Sequence, residues 1–461
     1  MTARRISGKT SDPTSDQPAD QAPGQTKDQT AAADQPPAPL LTLRDGLPRV
    51  IDTDEGLRSA AAAIAAATGP VGIDAERASG YRYSNRAYLV QLRREGAGTW
   101  LIDPIGLSTL APLAEALRGT EWILHAATQD LPCLAALGLR PSALFDTELA
   151  GRLLGYPRVG LATLVETLLG YGMLKEHSAA DWSTRPLPES WLEYAALDVE
   201  VLVELREVLA AELAAAGKDE WARQEFEHLR SFEPPERVDA WRRTSGTHRL
   251  RSRRGLGAVK ELWETRDQIA RDRDVTPGRI LPDSAIVAAA AELPTDRAAL
   301  LALKGFHGRG AERYSRQWVA ALQRVAAMAE EELPARAPRG DGPPPPRAWA
   351  DRDPVAARRL AIARDAMAEL AERQHMPLEN LLTPDSLRRV LWAPPRTRQP
   401  GELLDRVAEQ LSSYGARSWQ LSLTAPLITA AILEADQPHA PADEGAGADY
   451  PSAEDPGDGE S

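Results

Sequence analysis

The stretch Val71-Gly-Ile-Asp-Ala-Glu76 constrains the fold of this chain more than any other. Apolar and small residues lead into an acid, and a second acid follows two places on. In a β-strand successive side chains alternate faces, so Asp74 and Glu76 point the same way with their carboxylates side by side. Like charges that close repel, and a shared divalent cation with oxygen ligands relieves them. A solvated acidic face is the other reading of the same triplet. The choice turns on whether further acids join the pair.

Around this strand the pattern is that of a layered α/β domain. An Ala-rich helix is expected over residues 59–67, stopped by Gly69-Pro70. Residues 87–93 and 99–103 read as two more strands, joined through the Gly96/Gly98 turn. The short connections predict an antiparallel meander. Leu107, Leu110, Leu113 and Leu117 then give a helical stripe, residues 122–124 a short buried strand, and residues 132–139 a further helix. A meander followed by alternating helix and strand predicts a mixed sheet with helical layers.

Charge is distributed unevenly. The chain of 461 residues carries a formal −13, which would argue against nucleic acid were it uniform. Residues 41–236 hold −11, residues 237–324 hold +8, residues 325–436 hold −2 and residues 437–461 hold −7. A basic block between acidic ones points to a nucleic-acid partner. The one cysteine, Cys133, excludes an internal disulfide and fits a reducing, cytoplasmic setting. No apolar run approaches the roughly 18 residues that cross a membrane, and polar residues follow Arg4-Arg5 where an export signal needs an apolar core.

Further acids do join the first pair. The segment His125-Ala-Ala-Thr-Gln-Asp130 places a carboxylate near a helix start, and Tyr194-Ala-Ala-Leu-Asp198 places a phenol and a carboxylate on one helix face. Leu197, Val201, Leu205 and Val208 supply the buried stripe of that helix. Singly, Asp130 is also a helix cap and Tyr194 a core aromatic. Between the first two strands lie Arg77, Arg82, Arg86, Arg93 and Arg94 with no acid, interleaved with Tyr81, Tyr83 and Tyr88. Such a run suits phosphate contacts and base stacking, or a solvated hairpin.

In this order and between these elements, the motifs resemble the ribonuclease D family of DEDD 3′→5′ exonucleases, in the subgroup whose third motif carries a tyrosine. Asp74-x-Glu76 matches the first motif, the segment ending in Asp130 the second, and Tyr194-x-x-x-Asp198 the third. Asp181-Trp-Ser-Thr-Arg-Pro-Leu187 and Phe145-Asp-Thr147 are similar to the family's flanking segments. The resemblance implies a ribonuclease-H-like exonuclease domain and two divalent metal ions, Mg²⁺ or Mn²⁺. It implies Asp74, Glu76 and Asp198 around one ion, Asp74 bridging to the second, Asp130 contributing partly through water, and Tyr194 aiming the attacking water. The product would be a nucleoside 5′-monophosphate. Arg77 departs from the family, where a small or apolar residue is frequent. Strand alternation turns it to the face opposite Glu76, where it adds a phosphate or structural contact.

The rest of the chain is helical. Residues 242–254 carry six arginines and no acid, either as a solvated linker or as a phosphate-binding arm. Trp263, Ile269, Leu281, Ile286, Leu300 and Leu303 supply a small core, and Gly305-Phe-His-Gly-Arg-Gly310 a turn between helices. Residues 255–335 resemble the HRDC domain, a helical nucleic-acid-binding module. Arg266-Asp267 with Ile280-Leu-Pro-Asp-Ser284 is echoed by Arg364-Asp365 with Leu382-Thr-Pro-Asp-Ser386, so 350–436 reads as a second, diverged HRDC-like domain.

The expected order is thus a disordered tail over 1–40, an exonuclease domain over 41–232 and a basic linker over 233–254. The HRDC domain follows over 255–335, a Pro-rich semi-rigid linker over 336–349, the second helical domain over 350–436 and an acidic disordered tail over 437–461. The expected nucleic-acid contacts are Arg77, Arg82, Tyr83, Arg86, Arg242, Arg243, Arg251, Arg253, Arg254, Lys304 and Arg309. The expected partner is structured RNA, such as a tRNA precursor, with a single-stranded 3′ end. A DNA exonuclease, and an inert nucleic-acid-binding scaffold, are the alternatives.

Overall fold

The computed structural model describes residues 38–437 apart from 175, 176, 178, 236 and 337–341. The two tails lie outside the described residues except at their inner edges. There, residues 39–40 are not a free tail. Leu41 N–H donates to the Gly172 carbonyl and Gly172 N–H to that of Pro39, each at 2.9 Å.

Six strands form one mixed sheet: β1 (Val50–Ile51), β2 (Val71–Arg77), β3 (Ala87–Arg94), β4 (Gly98–Ile102), β5 (Glu121–Leu124) and β6 (Ala143–Asp146), in the order β1-β4-β3-β2-β5-β6. The expected meander is present, with β2 antiparallel to β3 and β3 to β4. Strands β5 and β6 continue the sheet in parallel, and the two-residue β1 closes its far edge. The β3–β4 turn needs left-handed backbone at Gly96 and Gly98, where glycine carries no Cβ penalty.

Helices cover both faces. Asp54–Ala66, capped by the Thr53 hydroxyl, and Ala111–Ala116 enclose one core. Leu110, Leu113 and Leu117 are buried as expected, but only the last part of that stripe is helical. On the other face lie Thr147–Leu154, Glu189–Glu200 and Leu202–Ala215. The stripe expected from Leu197 to Val208 is interrupted. The first helix ends at Val201, and the second buries Leu202, Leu205, Leu209 and Leu213, which leaves Val208 half-buried. No helix among the described residues is long and apolar enough to cross a membrane.

The two helical regions are attached differently. Residues 253–327 enclose their own core around Trp318 and Phe306, into which Arg266 is tied through Asp283 at 2.7 Å and the Leu281 carbonyl at 2.9 Å. The second region does not reproduce that tie: Arg364 is exposed and Asp385 pairs with Arg388 and Arg389 of its own helix. Its apolar core runs on without a break into the exonuclease core, from Trp349, Leu360 and Ile428 to Leu153, Leu205 and Phe226. Trp349, expected at the end of a spacer, is fully buried.

Candidate active site

Asp74 and Glu76 lie on one face of β2, as alternation requires. Opposite Asp74 on β3 stands Gln91, fully buried, whose Nε2 donates to Asp74 Oδ2 at 2.8 Å and reaches Glu76 Oε1 at 3.5 Å. The helix Glu189–Glu200 brings Asp198 to the same point. It approaches closely because residue 72 is glycine: a Cβ there would meet Leu202 Cβ at 3.0 Å and the Val199 carbonyl at 3.3 Å. Asp74, Glu76 and Asp198 each offer an oxygen within 4.8 Å of the others.

Asp130 arrives by a different route. After β5 the backbone takes a left-handed step at Ala126 and a single 3₁₀ turn over Ala127–Gln129. Asp146 fixes that turn. Its carboxylate accepts the N–H groups of Ala126 at 3.2 Å and Ala127 at 2.8 Å, while also capping the next helix through Glu148 and Leu149. Asp130 makes no side-chain cap bond. Its carboxyl is buried, hydrogen-bonded to Asp74, and faces Arg77 Nη2 at 3.4 Å.

The electrostatics follow from burial. Desolvation raises the carboxyl pKa of Asp74 and pushes those of Glu76, Asp130 and Asp198 well above the ordinary range, and repulsion among the four adds to it. Tyr194, one turn before Asp198, has its phenol raised by burial and by the neighbouring acids, so it stays protonated. A divalent cation fits this donor set. All the donors are hard oxygens, three converge within 4.8 Å, and among the described residues Arg77 is the one cation paired with them, so their ionised form calls for a further positive charge. Beside Tyr194 and Asp198 opens a cavity of about 240 Å³, lined by Leu40, Leu41, Met173, Leu174 and Leu197.

Several expected nucleic-acid contacts are engaged elsewhere. Arg77, the last residue of β2, makes a structural contact, its guanidinium 3.4 Å from the Asp130 carboxyl. Tyr83 is not free to stack on a base. It packs against the HRDC-like core, donates its hydroxyl to Asp267 at 3.1 Å, and with Ser84 donates backbone N–H to Asp274 at 3.2 and 3.0 Å. Arg82 Nε donates to Ser183 Oγ at 2.8 Å, and Arg86 lies 5.0 Å over the Tyr88 ring.

Within the arginine-rich segment, Arg253 donates to the Leu333 carbonyl. Arg254 donates to the Val325 carbonyl at 2.7 Å and to Glu330 at 2.9 Å, and so fastens the end of the helix Ser315–Ala327. Arg242 donates to Asp239 at 2.7 Å and to the Ala335 carbonyl at 3.1 Å. These guanidinium groups are thereby tied into the fold. Arg243, Arg251, Lys304 and Arg309 are exposed.

Gln91 and Asp146 were not among the expected site residues. Gln91 carried a signal, as a lone polar residue inside an otherwise apolar strand that needs a buried partner. Asp146 was visible only as part of Phe145-Asp-Thr147, and its reach back to Ala126 is a long-range contact with no local signature.

Comparisons with known proteins agree with this geometry. The family model described as 3'-5' exonuclease matches residues 48–214, and that of the HRDC domain residues 255–322. The C-terminal helices, expected as a second HRDC-like domain, match a model described as the 3' to 5' exonuclease C-terminal domain over residues 342–432. Ribonuclease D of Escherichia coli K12 is 30% identical over 292 residues, which span 62% of this chain and 77% of that protein. Ribonuclease D of Desulfotalea psychrophila is 30% identical over 271 residues, 57% of this chain and 72% of that one. Among solved structures, a protein from Bifidobacterium adolescentis matches with a TM-score of 0.78 at 38% identity, covering 86% of this chain and 99% of its own. Escherichia coli RNase D, described as an exoribonuclease involved in structured RNA processing, matches with a TM-score of 0.59 at 26% identity, covering 79% and 99%. The chain belongs to the ribonuclease D family, whose exonucleases depend on divalent metal, and is a 3′→5′ exoribonuclease.

Proposed function

We propose that this enzyme trims single-stranded 3′ tails from structured RNA, tRNA precursors among them, releasing nucleoside 5′-monophosphates. The convergence of Asp74, Glu76, Asp130 and Asp198 beside Tyr194 carries this reading. Asp74, Glu76 and Asp198 would hold one divalent ion, Mg²⁺ or Mn²⁺, and Asp74 with Asp130 a second. When bound, such ions supply Lewis acidity at the attacking water and at the leaving 3′ oxygen.

The chain's own groups do the rest. Gln91 orients the Asp74 and Glu76 carboxylates, and Asp146 holds the turn that delivers Asp130. The Tyr194 phenol, kept protonated, is a hydrogen-bond donor and acceptor that aligns the water for attack on phosphorus. The apolar cavity beside it takes the terminal nucleoside. The HRDC domain, with Lys304 and Arg309 exposed, and the segment before it, with Arg243 and Arg251 exposed, contact the phosphate backbone of the folded part. On this reading the exonuclease domain spans about 41–232, with the HRDC domain at 255–335 and a helical domain after it.

The test is a time course on 3′- and 5′-labelled RNA with Mg²⁺, Mn²⁺ or EDTA, beside DNA of the same sequence. A 3′→5′ ladder on RNA, abolished by EDTA and by Asp74→Ala with folding intact, is the expected result. Equal degradation of the DNA would remove the RNA preference, and undiminished cleavage by Asp74→Ala would sink the site.

A further inference from the structure

We propose that Arg77 is a built-in counter-ion of the acidic site, and that it sets how readily a second divalent ion binds at Asp130. The proposal rests on the metal-site reading above.

Arg77 is the last residue of β2, and the extra residue of the register shift beside it lies on β3. From the end of the strand its guanidinium reaches the acids, 3.4 Å from Asp130 Oδ1. The pair is sheltered, the Arg77 side chain being 27% and the Asp130 side chain 6% exposed. Among the described residues, Arg77 is the one cation in ion-pair contact with any of the four acids. Asp74, Glu76 and Asp198 form the three-carboxylate group whose oxygens converge, and Asp130 stands outside it, tied to Asp74 on one side and Arg77 on the other.

The two places for a cation are therefore unequal. At the three converging carboxylates an ion meets uncompensated negative charge. At Asp130 an ion must displace a guanidinium from a sheltered pair, or bind beside it against like-charge repulsion. Both effects act in the same direction, weakening the second ion. A positively charged neighbour a few ångströms away at the effective dielectric of such a site changes a dication's affinity by tenfold or more, on the order of magnitude that Coulomb's law gives. Arg77 is thus a positioning residue: it acts through Asp130.

The experiment is a Mn²⁺ titration of the full chain without RNA, read by the electron paramagnetic resonance of free Mn²⁺, on wild type, Arg77→Met, Arg77→Lys and Asp130→Asn/Arg77→Met. Wild type should bind one ion tightly and a second at least about tenfold more weakly. Arg77→Met should tighten the second ion by about tenfold or more and the first by less, Arg77→Lys should stay near wild type, and adding Asp130→Asn should erase the gain. A second-ion affinity unchanged in a folded Arg77→Met, or a gain that survives Asp130→Asn, overturns the proposal while leaving the metal-site reading intact. Absence of any Mn²⁺ binding by wild type overturns both.

Discussion

Gly72 packs tightly against Leu202: a Cβ on Gly72 would lie 3.0 Å from Leu202 Cβ, tighter than side chains ordinarily pack. Leu202 opens the helix that follows Glu189–Glu200, and Gly72 sits two residues before Asp74 on the central strand. This one missing methyl group sets the depth at which Asp198 meets Asp74. Gly72→Val is expected to lose about 1–3 kcal/mol of stability through overpacking and to lose far more activity than stability. Urea denaturation beside kcat on labelled RNA measures both, and a folded variant with full activity would show that the helix has slack.

The raised carboxyl pKa values make a pH prediction with a definite sign. Folded carboxyls that hold protons above their ordinary range bind more protons than the unfolded chain does, so stability falls as pH rises through and above that range. His125 works the other way, its folded pKa lowered by burial to about 4, so it costs stability only as pH falls below its ordinary 6.5. Above that value the acids act without it. In EDTA the melting temperature should fall as pH rises above the ordinary carboxylate range, and above pH 6.5 His125 adds nothing to that slope. Asp198→Asn should flatten the slope, and Mg²⁺ should reverse it.

Lys218 joins the exonuclease core to the C-terminal helices. Its buried ammonium donates to the Leu153 carbonyl at 2.6 Å and the Gln374 carbonyl at 2.5 Å, so one cation serves the carbonyl ends of two helices. Lys218→Met leaves those carbonyls without a donor and should cost about 1–3 kcal/mol in urea denaturation. A neutral result would mean that water replaces the ammonium at no cost.

The arginines of residues 242–254 divide into two groups with opposite expected phenotypes. Arg243→Ala and Arg251→Ala should leave stability unchanged and each lower the salt slope of RNA binding by about one. Arg254→Ala should lower the melting temperature, since its guanidinium closes a helix end, and leave the salt slope alone. Filter binding across salt concentrations separates the two.

These divisions show what the sequence carried and where it fell silent. The meander, the acidic pair on β2 and the Tyr194/Asp198 spacing follow from local periodicity, and periodicity is a property of the chain itself. The pairing of Arg77 with Asp130 was not legible, because Asp130 comes from a separate turn after β5 and nothing in Asp-Ala-Glu-Arg announces that contact. Tyr83 read as a stacking aromatic because its partners, Asp267 and Asp274, lie almost 200 residues away in sequence. Composition reports that a residue is suited to a phosphate or a base. Only tertiary contact decides whether it has already found a partner within the chain.

The continuity of the apolar core across Trp349, Leu360 and Phe226 has a practical meaning for anyone who shortens this protein. A fragment ending near residue 335 keeps every acid of the site and looks complete by motif, yet it strips the cover from the helices Leu202–Ala215 and Asp219–Arg230. It would also leave Glu225, now held by Arg417 and Trp419, without its partners. Such a fragment would expose a broad oily face to solvent and self-associate. Removal of the last helices would then register as lost catalysis for a reason unrelated to RNA binding, and a clean dissection of these modules must cut after the C-terminal helices or repaint the surface they cover.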